Sequence, residues 1–294
     1  MEYLIAENIA APHCFTTRLG GVSTGIFASM NIANKEGERP ENVEKNLNIL
    51  AQEFGFCTQD MVFTQQTHTD IVRVVSKKDH QGLHHKAYPI CDALVTNDPG
   101  TTLMVYTADC TPLLFHDPVT GAVGAAHAGW RGTAAGIAEK TVEAMVSAFG
   151  CDPKDIRAAI GPNIGVCCFE THADVPEAMV AALGEEAKPY IFPEGEKFRV
   201  DLKGINAHFL RRAGVEVMTV GINGKIVYGG HGIGVEADIT IDEMDLTAMD
   251  MIVLPGGLGG VATARSSKKA MEALKFAWEN DKFVAAICAG PTGL

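Results

Sequence analysis

The chain has 294 residues, of which 47% are hydrophobic and 20% charged, a composition typical of folded globular proteins and not of disordered ones. Its length allows either one large domain or two smaller ones. The formal net charge of -12 provides no attraction to DNA, RNA or an anionic membrane surface, which favours a small-molecule substrate.

The N-terminal segment and the cysteine content indicate the compartment. Glu2 and Glu7 stand where a secretory signal peptide would have basic residues, and no apolar run reaches the length of a membrane span. The 8 cysteines are too sparse for a disulfide scaffold, and no two of them form a C-x-x-C pair. We therefore expect a cytoplasmic protein whose cysteines are buried, reactive or bound to metal.

The first half of the chain predicts alternating helices and strands. Residues 37–56 predict an amphipathic helix, because apolar side chains recur there at helical spacing. Short apolar or alternating runs predict strands at 70–76, 92–97, 101–110 and 121–129. Residues 132–150 predict a further helix, ended by Gly150, so that a strand-turn-helix unit begins at His127.

The second half changes character near residue 210. Residues 155–170 predict a strand that enters a Gly-Pro loop, and residues 171–184 predict a helix. Since adjacent side chains of a strand point apart, Cys167 and Cys168 are not expected to act as paired ligands. Beyond residue 210, the order hairpin, strand, helix, strand is typical of an open doubly wound sheet. We place a domain boundary near Arg211–Gly214.

Three residues are candidates for a metal site. His68, Cys110 and His127 offer imidazole and thiolate ligands, which zinc and copper prefer, and three ligands leave one position open for water or substrate. Their spacing alone is a weak signal, so packed or surface side chains remain the alternative interpretation. His84 and His85 lie in a polar segment and are interpreted as solvated loop residues.

The same residues lie in motifs that resemble a known family. The strings "FTTRLGGVSTG", "QQTHTDIV", "TADCTPLLFHDP", "GAVGAAHAGWRGT" and "IGPNIGVCCFE" look like the YfiH family, also called the multicopper polyphenol oxidoreductase or laccase-domain family. The resemblance covers about residues 12–212. It implies a mixed α+β fold, a four-layer α/β/β/α sandwich, with one metal site built from His68, Cys110 and His127. It also implies purine nucleoside phosphorolysis accompanied by adenosine deamination.

The residues agree with that chemistry in two respects. A zinc ion with three protein ligands can lower the pKa of a bound water to about 7, which suits deamination. Arg18 and Arg131, each beside glycines, are expected to hold phosphate in one shared pocket and to act with Cys110 in catalysis. Asn31 is expected to contact substrate, and Asp109 to line the site or brace the loop of Cys110.

Copper-dependent phenol oxidation is the second hypothesis. A site of two histidines and one cysteine can bind Cu²⁺, and the family carries the laccase label. Four-electron reduction of oxygen normally requires a cluster of coppers, yet the chain contains no His-x-His pair. We therefore expect Zn²⁺ or Cu²⁺, with purine nucleoside and phosphate as the main substrates and phenols as secondary ones.

The C-terminal part resembles a second family. Residues 213–294 look like the PfpI-type superfamily, in which the string "AICAGP" is a nucleophile elbow. The resemblance implies that Cys288 is the nucleophile and that Gly256 and Gly257 are backbone donors. Since parts of that fold are missing, we expect a partial Rossmann-like α/β appendage with a vestigial elbow. It would pack on the domain of residues 1–212 or on a second subunit of a homo-oligomer. A metal-binding fusion product without activity is the third hypothesis.

Overall fold

The computed structural model describes residues 3–6, 8–82, 89–217, 220–221, 226–228, 234–236, 239–248, 251–254, 264, 266–280 and 283–286. The chain divides into two compact units. Unit one comprises Met1–Ile164 and Leu202–Val215, and unit two comprises Gly165–Asp201 and Glu216–Leu294. Both helices and strands are present, as the sequence predicts. The four-layer arrangement stays a prediction.

The secondary structure consists of short strands and mostly longer helices. The strands are β1 Tyr3–Leu4, β2 Phe15–Thr16, β3 Met61–Val62, β4 Val72–Val74, β5 Ala93–Thr96, β6 Thr102–Leu103, β7 Thr111–His116, β8 Val123–Ala128, β9 Arg157–Ile160, β10 Glu170–Thr171, β11 Ile191–Glu194, β12 Lys197–Val200, β13 Val220–Gly221, β14 Ile226–Tyr228, β15 Gly234–Glu236, β16 Ile239–Thr240, β17 Met251–Leu254 and β18 Phe283–Ala286. The helices are α1 Pro40–Phe54, α2 Trp130–Ala134, α3 Ile137–Phe149, α4 Asp174–Leu183, α5 Leu202–Arg212 and α6 Lys268–Glu279.

A five-stranded sheet forms the centre of unit one. Its order is β4-β5-β8-β7-β9, in which β4 and β5 are parallel and the other neighbours are antiparallel. At one end of the sheet, the first residues of β4, β5 and β7 therefore meet the last residues of β8 and β9. At this end lie His127, near the end of β8, and Cys110, just before β7.

The central strands of the sheet are buried because most of their side chains are apolar and α3 packs against β4, β5 and β8. Side chains of the sheet and of α3 that are fully or almost fully buried include Leu94, Leu113, Ala126, Ile137 and Met145. Burying a leucine, isoleucine or methionine side chain stabilises the fold by about 1.5–3 kcal/mol. The end of the sheet is thus held on a rigid core.

Helix α1 is the predicted amphipathic helix. It begins with a proline, whose fixed φ suits the first helical turn, and it ends at Gly55, which has a φ of 69°. Its buried residues pack in one cluster with residues of β3 and its neighbour: Val43, Leu47, Leu50, Met61 and Phe63. The prediction of a helix with one apolar face is confirmed.

Three local predictions were wrong. Of the strand predicted at 101–110, only Thr102–Leu103 forms, and the main strand β7 begins after Cys110. The helix predicted at 132–150 is broken by Gly136, which has a φ of 75° and separates α2 from α3. Cys167 and Cys168 lie in a turn, not a strand, with their Sγ atoms 3.4 Å apart.

Unit two contains a small antiparallel sheet of order β10-β12-β11, against which α4 packs. Its later part includes the hairpin β14–β15 and the parallel pair β17–β18, with α6 between them in the chain. The predicted hairpin and the strand-helix-strand order are confirmed. Cys288, Gly256 and Gly257 lie outside the described residues, as do His84 and His85. Among the described residues, no helix has the length and apolar character needed to cross a membrane.

Candidate metal centre

Strand register places two of the predicted ligands at the same end of the central sheet. His127 is the second-last residue of β8, and its backbone N–H donates to the carbonyl of Asp92, just before β5, at 2.7 Å. Cys110 immediately precedes β7, whose first residue Thr111 pairs with Ala128. The antiparallel pairing therefore brings residues distant in sequence to one edge.

His68, the third predicted ligand, lies on the loop between β3 and β4. His68 has a φ of 62°, a left-handed conformation uncommon for residues other than glycine and often found at functional sites. The candidate ligand atoms of His68, Cys110 and His127 all lie within 4.8 Å of one another. The two imidazole rings are 4.9 Å apart between centroids and nearly perpendicular, at 86°. His68 is exposed and His127 is buried, so the cluster opens to solvent on the side of His68.

Asp92 connects the two histidines. Its fully buried carboxylate accepts a hydrogen bond from Nδ1 of His127 at 2.8 Å. It also accepts the backbone N–H groups of Thr67, His68 and Thr69 at 3.3, 3.1 and 2.7 Å, together with the Thr69 hydroxyl at 2.7 Å. These bonds fix the loop in which His68 takes its left-handed conformation. One carboxylate therefore sets the position of two ligands.

Sequence reasoning missed Asp92 as a site residue. A signal is nevertheless present, because a single carboxylate opens the entirely apolar, buried run "ALV" of β5. Buried carboxylates are rare unless they are paired or hydrogen-bonded. A charged side chain at that position therefore predicts hydrogen-bond donors close to it. It does not show which residues supply those donors.

The protonation states suit metal binding. Burial lowers the pKa of His127, although the neighbouring Asp92 carboxylate acts in the opposite direction. A neutral imidazole that donates through Nδ1 presents its unprotonated Nε2 to a metal. Burial, with the charges of Asp109 and Asp92, raises the pKa of Cys110, so the thiol keeps its proton until a cation displaces it. The pKa of Asp92 is lowered: burial opposes ionisation, but bonds from Thr69 and His127 outweigh it.

Gly129 leaves the space in which the ligands sit. A Cβ atom at this position would lie 2.4 Å from Nδ1 of His68 and 3.3 Å from Sγ of Cys110. Because the backbone φ of Gly129 is -67°, the requirement for glycine comes from this steric conflict and not from backbone conformation. The first glycine of "HAGWRG" therefore lies against the candidate ligand cluster and leaves it the space that a side chain would fill.

The two arginines have separate local contacts. The guanidinium of Arg18 donates through Nε and Nη2 to the carbonyl of Ala28, at 3.1 and 2.8 Å. Arg131 lies over the ring of Trp130, 4.0 Å from its centroid, and is exposed. Neither contact joins these residues to the ligand cluster among the described residues. Their predicted role in one phosphate pocket stays a prediction.

Asn31 and Asp109 also take part in loop structure. The Asn31 side chain donates to the carbonyl of Ala33 at 3.0 Å and to the carboxylate of Glu38 at 3.1 Å. The backbone carbonyl of Asp109 accepts from the N–H of Ile164 at 2.8 Å, while its side chain is exposed. Asp109 therefore braces the segment before Cys110 through its backbone.

Comparison with known proteins shows two family matches and several named relatives. The sequence profile described as "Multi-copper polyphenol oxidoreductase laccase" matches residues 12–226, and that of the DJ-1/PfpI family matches residues 203–294. A protein of Deinococcus radiodurans named "Purine nucleoside phosphorylase" is 40% identical over 217 residues, which cover 73% of this chain and 80% of that protein. "Purine nucleoside phosphorylase YfiH" of Escherichia coli is 35% identical over 211 residues, covering 71% of this chain and 81% of its own.

Solved structures show the same likeness. YlmD from Geobacillus stearothermophilus superposes with a TM-score of 0.67 at 33% identity, covering 81% of this chain and 85% of that chain. The hypothetical protein YfiH of Bacillus licheniformis superposes with a TM-score of 0.65 at 36% identity, covering 69% of this chain and 78% of its own.

Proposed function

The chain belongs to the multi-copper polyphenol oxidoreductase laccase family, and on this premise we propose that it is a metal-dependent purine nucleoside phosphorylase that also deaminates adenosine. The observation that carries the proposal is the cluster of His68, Cys110 and His127 at the open end of the central sheet. The named relatives, matched over about four fifths of their length, support the substrate class.

The cluster fits a divalent metal in its donor set and spacing. Tetrahedral zinc with ordinary bond lengths places its nitrogen and sulfur ligands about 3.3–3.6 Å apart. The candidate atoms lie within 4.8 Å, so small side-chain rotations close the site. Two imidazoles and one thiolate suit Zn²⁺ and also Cu²⁺. When bound, the ion would supply Lewis-acid activation of water.

The chain's own residues prepare the site in complementary ways. Because the Nδ1 of His127 donates to Asp92, its Nε2 is available to a metal. The backbone N–H of His68 also donates to Asp92, which fixes the position of His68. Cys110 would lose its proton on metal binding, and the negative thiolate would lower the net charge of the site. We assign Cys110 to the catalytic site on these grounds, with Asp92 as a positioning residue for both histidines. We also assign Asp109 to the catalytic site, because its exposed side chain stands beside Cys110 in the chain.

Phosphorolysis further requires an anion site near the nucleoside. Phosphate oxygen attacks C1′ of the ribose, and the purine leaves through N9, so phosphate must be held on one side of the sugar. We assign Arg18 and Arg131 to phosphate and Asn31 to the nucleoside. The exposed guanidinium of Arg131 and the N–H groups of Arg18 that do not bind Ala28 support this assignment, because guanidinium groups bind phosphate oxygens through paired N–H donors.

Copper-dependent phenol oxidation is the alternative, favoured by the description of the family profile. In the part of the chain that the structure describes, one group of three or more His, Cys, Asp or Glu side chains is close enough to hold an ion. A single ion accepts electrons one at a time, which does not suit four-electron reduction of oxygen. Phenol oxidation is therefore the secondary candidate.

The domain assignment is part of the proposal. We propose that residues 1–212 are the metal-binding domain and that residues 213–294 are a PfpI-type appendage without its own activity. The match of the second profile to residues 203–294 supports the origin of the appendage. We also propose that the enzyme works in the cytoplasm, where nucleosides and phosphate are available, and assembles as a homo-oligomer.

The test is product analysis with the full chain and two cysteine variants. Adenosine is supplied with and without phosphate, and adenine, ribose 1-phosphate and inosine are quantified. We expect adenine only with phosphate and inosine in both conditions, with both products lost in Cys110→Ala. Cys57→Ala removes an exposed cysteine outside the cluster and is expected to retain activity. Phenol oxidation without nucleoside turnover would favour the copper enzyme, and no turnover at all would favour an inactive fusion product.

A further inference from the structure

Cys167 and Cys168 form a pair of thiols in a turn outside the metal centre. The N–H groups of Cys168 and Phe169 both donate to the carbonyl of Gly165, at 2.9 and 3.0 Å, which curls the backbone. The two Sγ atoms lie 3.4 Å apart, within hydrogen-bond distance. An extended strand would have placed them on opposite faces, so the turn creates the pair.

The turn is anchored from the neighbouring sheet of unit two. Nη1 of Arg199, on β12, donates to the carbonyl of Cys167 at 3.1 Å. The Arg199 side chain is 13% exposed and is itself held by Glu194 at 2.5 Å and by Glu170 at 3.5 Å. Because the backbone of this turn is anchored, the two sulfur atoms stay within contact distance of each other. On a mobile chain terminus, two cysteines would be in contact for only a small part of the time.

The exposure of Cys168 separates this pair from Cys14, Cys91 and Cys151, which are intermediate or buried. Burial raises the pKa of Cys14 to about 12 and contributes most to raising those of Cys91 and Cys151 to about 11, so these three are poor nucleophiles. Cys168, by contrast, is exposed, and Cys167 is half-buried. Cys57 is also exposed but lies far from both in sequence, and therefore serves as a single-thiol reference.

The two thiols have unequal roles. The hydrogen bond to Cys168, followed by burial, raises the pKa of Cys167, so this thiol keeps its proton. The more exposed Cys168 is accordingly the first to meet an oxidant. Cys167 is then placed to attack the oxidised sulfur from 3.4 Å away.

We propose that Cys167 and Cys168 are a site of reversible oxidation by hydroperoxides, at which a disulfide closes between the two adjacent residues. The Cys168 thiolate attacks the terminal oxygen of the peroxide, the O–O bond breaks, and water or an alcohol leaves after protonation. The resulting sulfenic acid is attacked by Sγ of Cys167. The S–O bond breaks and water leaves with the Cys167 proton. The thiols lose two electrons in total, and the peroxide gains them.

The geometry of adjacent residues makes this disulfide easy to reverse. Successive Cα atoms are about 3.8 Å apart across a trans peptide. Most disulfides join Cα atoms about 4.4–6.8 Å apart, and departures from that range store strain. Strained, exposed disulfides are the labile ones that ordinary thiols reduce. The site is therefore suited to transient modification and not to permanent cross-linking.

Peptide mapping after mild oxidation tests the proposal. The full chain is treated with one equivalent of hydrogen peroxide, its remaining thiols are blocked with N-ethylmaleimide, and the digest is analysed without reduction. We expect the peptide with Cys167 and Cys168 to lose two hydrogen atoms and take up no maleimide. Cys57 has no cysteine beside it in sequence to trap a sulfenic acid, so we expect it to form no disulfide within its peptide under the same treatment. Dithiothreitol should restore both thiols.

The variants Cys168→Ser and Cys167→Ser provide the control. Each leaves one thiol without its partner, so formation of the intrapeptide disulfide should be abolished in both. An unchanged urea-unfolding midpoint shows that the chain still folds. The proposal is overturned if both wild-type thiols are alkylated as fully as Cys57 after peroxide, or if Cys168 proceeds to sulfinic acid without a disulfide. Both outcomes are independent of metal content and nucleoside turnover.

Discussion

Replacing Asp92 by asparagine should weaken both metal binding and the fold. The substitution keeps the shape of the side chain but exchanges one acceptor oxygen for an NH₂ donor. The carboxylate now accepts five hydrogen bonds: His68 N–H and His127 Nδ1 on Oδ1, and Thr67 N–H, Thr69 N–H and Thr69 Oγ1 on Oδ2. Since donors surround both carboxylate oxygens, the NH₂ group of the asparagine must point at hydrogen-bond donors in either orientation.

The two orientations of the amide differ in cost. With NH₂ in the place of Oδ2, two backbone donors, those of Thr67 and Thr69, lose their acceptor. With NH₂ in the place of Oδ1, only the N–H of His68 is orphaned, and His127 accepts at Nδ1. Each buried, unsatisfied donor costs about 1–3 kcal/mol, so the second orientation is favoured. In that orientation the proton of His127 moves to Nε2, where it blocks the ligand position.

We therefore expect Asp92→Asn to lower the free energy of unfolding by about 1–3 kcal/mol. Its affinity for Zn²⁺ should fall about 10–100-fold, the usual effect of losing a carboxylate that orients a histidine ligand. Urea unfolding of the metal-free chain measures the first effect, and competition with a chelator measures the second. The visible spectrum of the Co²⁺-loaded variant should also change, since His127 no longer binds as before.

The same substitution at Asp117 is the matched control. Asp117 is fully buried and accepts the backbone N–H of Val119 at 2.8 Å, but it touches no ligand of the cluster. Asp117→Asn should leave both the Zn²⁺ affinity and the Co²⁺ spectrum unchanged. If Asp92→Asn binds Zn²⁺ as tightly as the native chain and gives the native Co²⁺ spectrum, Asp92 does not position His127.

Three further predictions follow from other contacts. Gly129→Ala should lower Zn²⁺ affinity about 10–100-fold, because overpacking by a Cβ only 2.4 Å from Nδ1 of His68 costs about 1–3 kcal/mol. Arg18→Leu should raise the phosphate KM about 10–100-fold and spare deamination, as expected for one lost charged hydrogen bond. Although burial opposes it, hydrogen bonds lower the folded-state pKa of Asp117. Its stabilisation is therefore present above about pH 3.9 and lost in stronger acid, so Asp117→Asn should unfold less steeply with acid.

The sequence predicted the elements whose pattern is local. Helix α1 could be located because its apolar spacing and the glycine after it are both visible in a short window. Residues 132–150 were predicted to form a single helix, because the apolar face continues across Gly136. Only the backbone conformation of Gly136 reveals the break. The turn at Cys167 was missed because its hydrogen bonds to Gly165 carry no apolar pattern.

The metal centre shows the limit of sequence reasoning more sharply. His68, Cys110 and His127 were identified as candidates, and the resemblance to a family made them one site. Spacing alone could not do so, since the register of β7 and β8 brings Cys110 close to His127, and hydrogen bonds to Asp92 hold the loop of His68 at the same edge. Asp92 was overlooked for the same reason, because its donors lie on a loop that precedes it by more than twenty residues and on His127, which follows it by 35 residues.

X-ray absorption at the metal edge tests the central claim most directly, namely that one ion is held by these three side chains. The full chain should bind one metal, surrounded by one sulfur at about 2.3 Å and nitrogen or oxygen ligands at about 2.0–2.2 Å. In Cys110→Ala the sulfur shell should vanish or the metal should be lost. A native centre without sulfur, a sulfur shell that survives in Cys110→Ala, or several copper ions per chain would contradict the account.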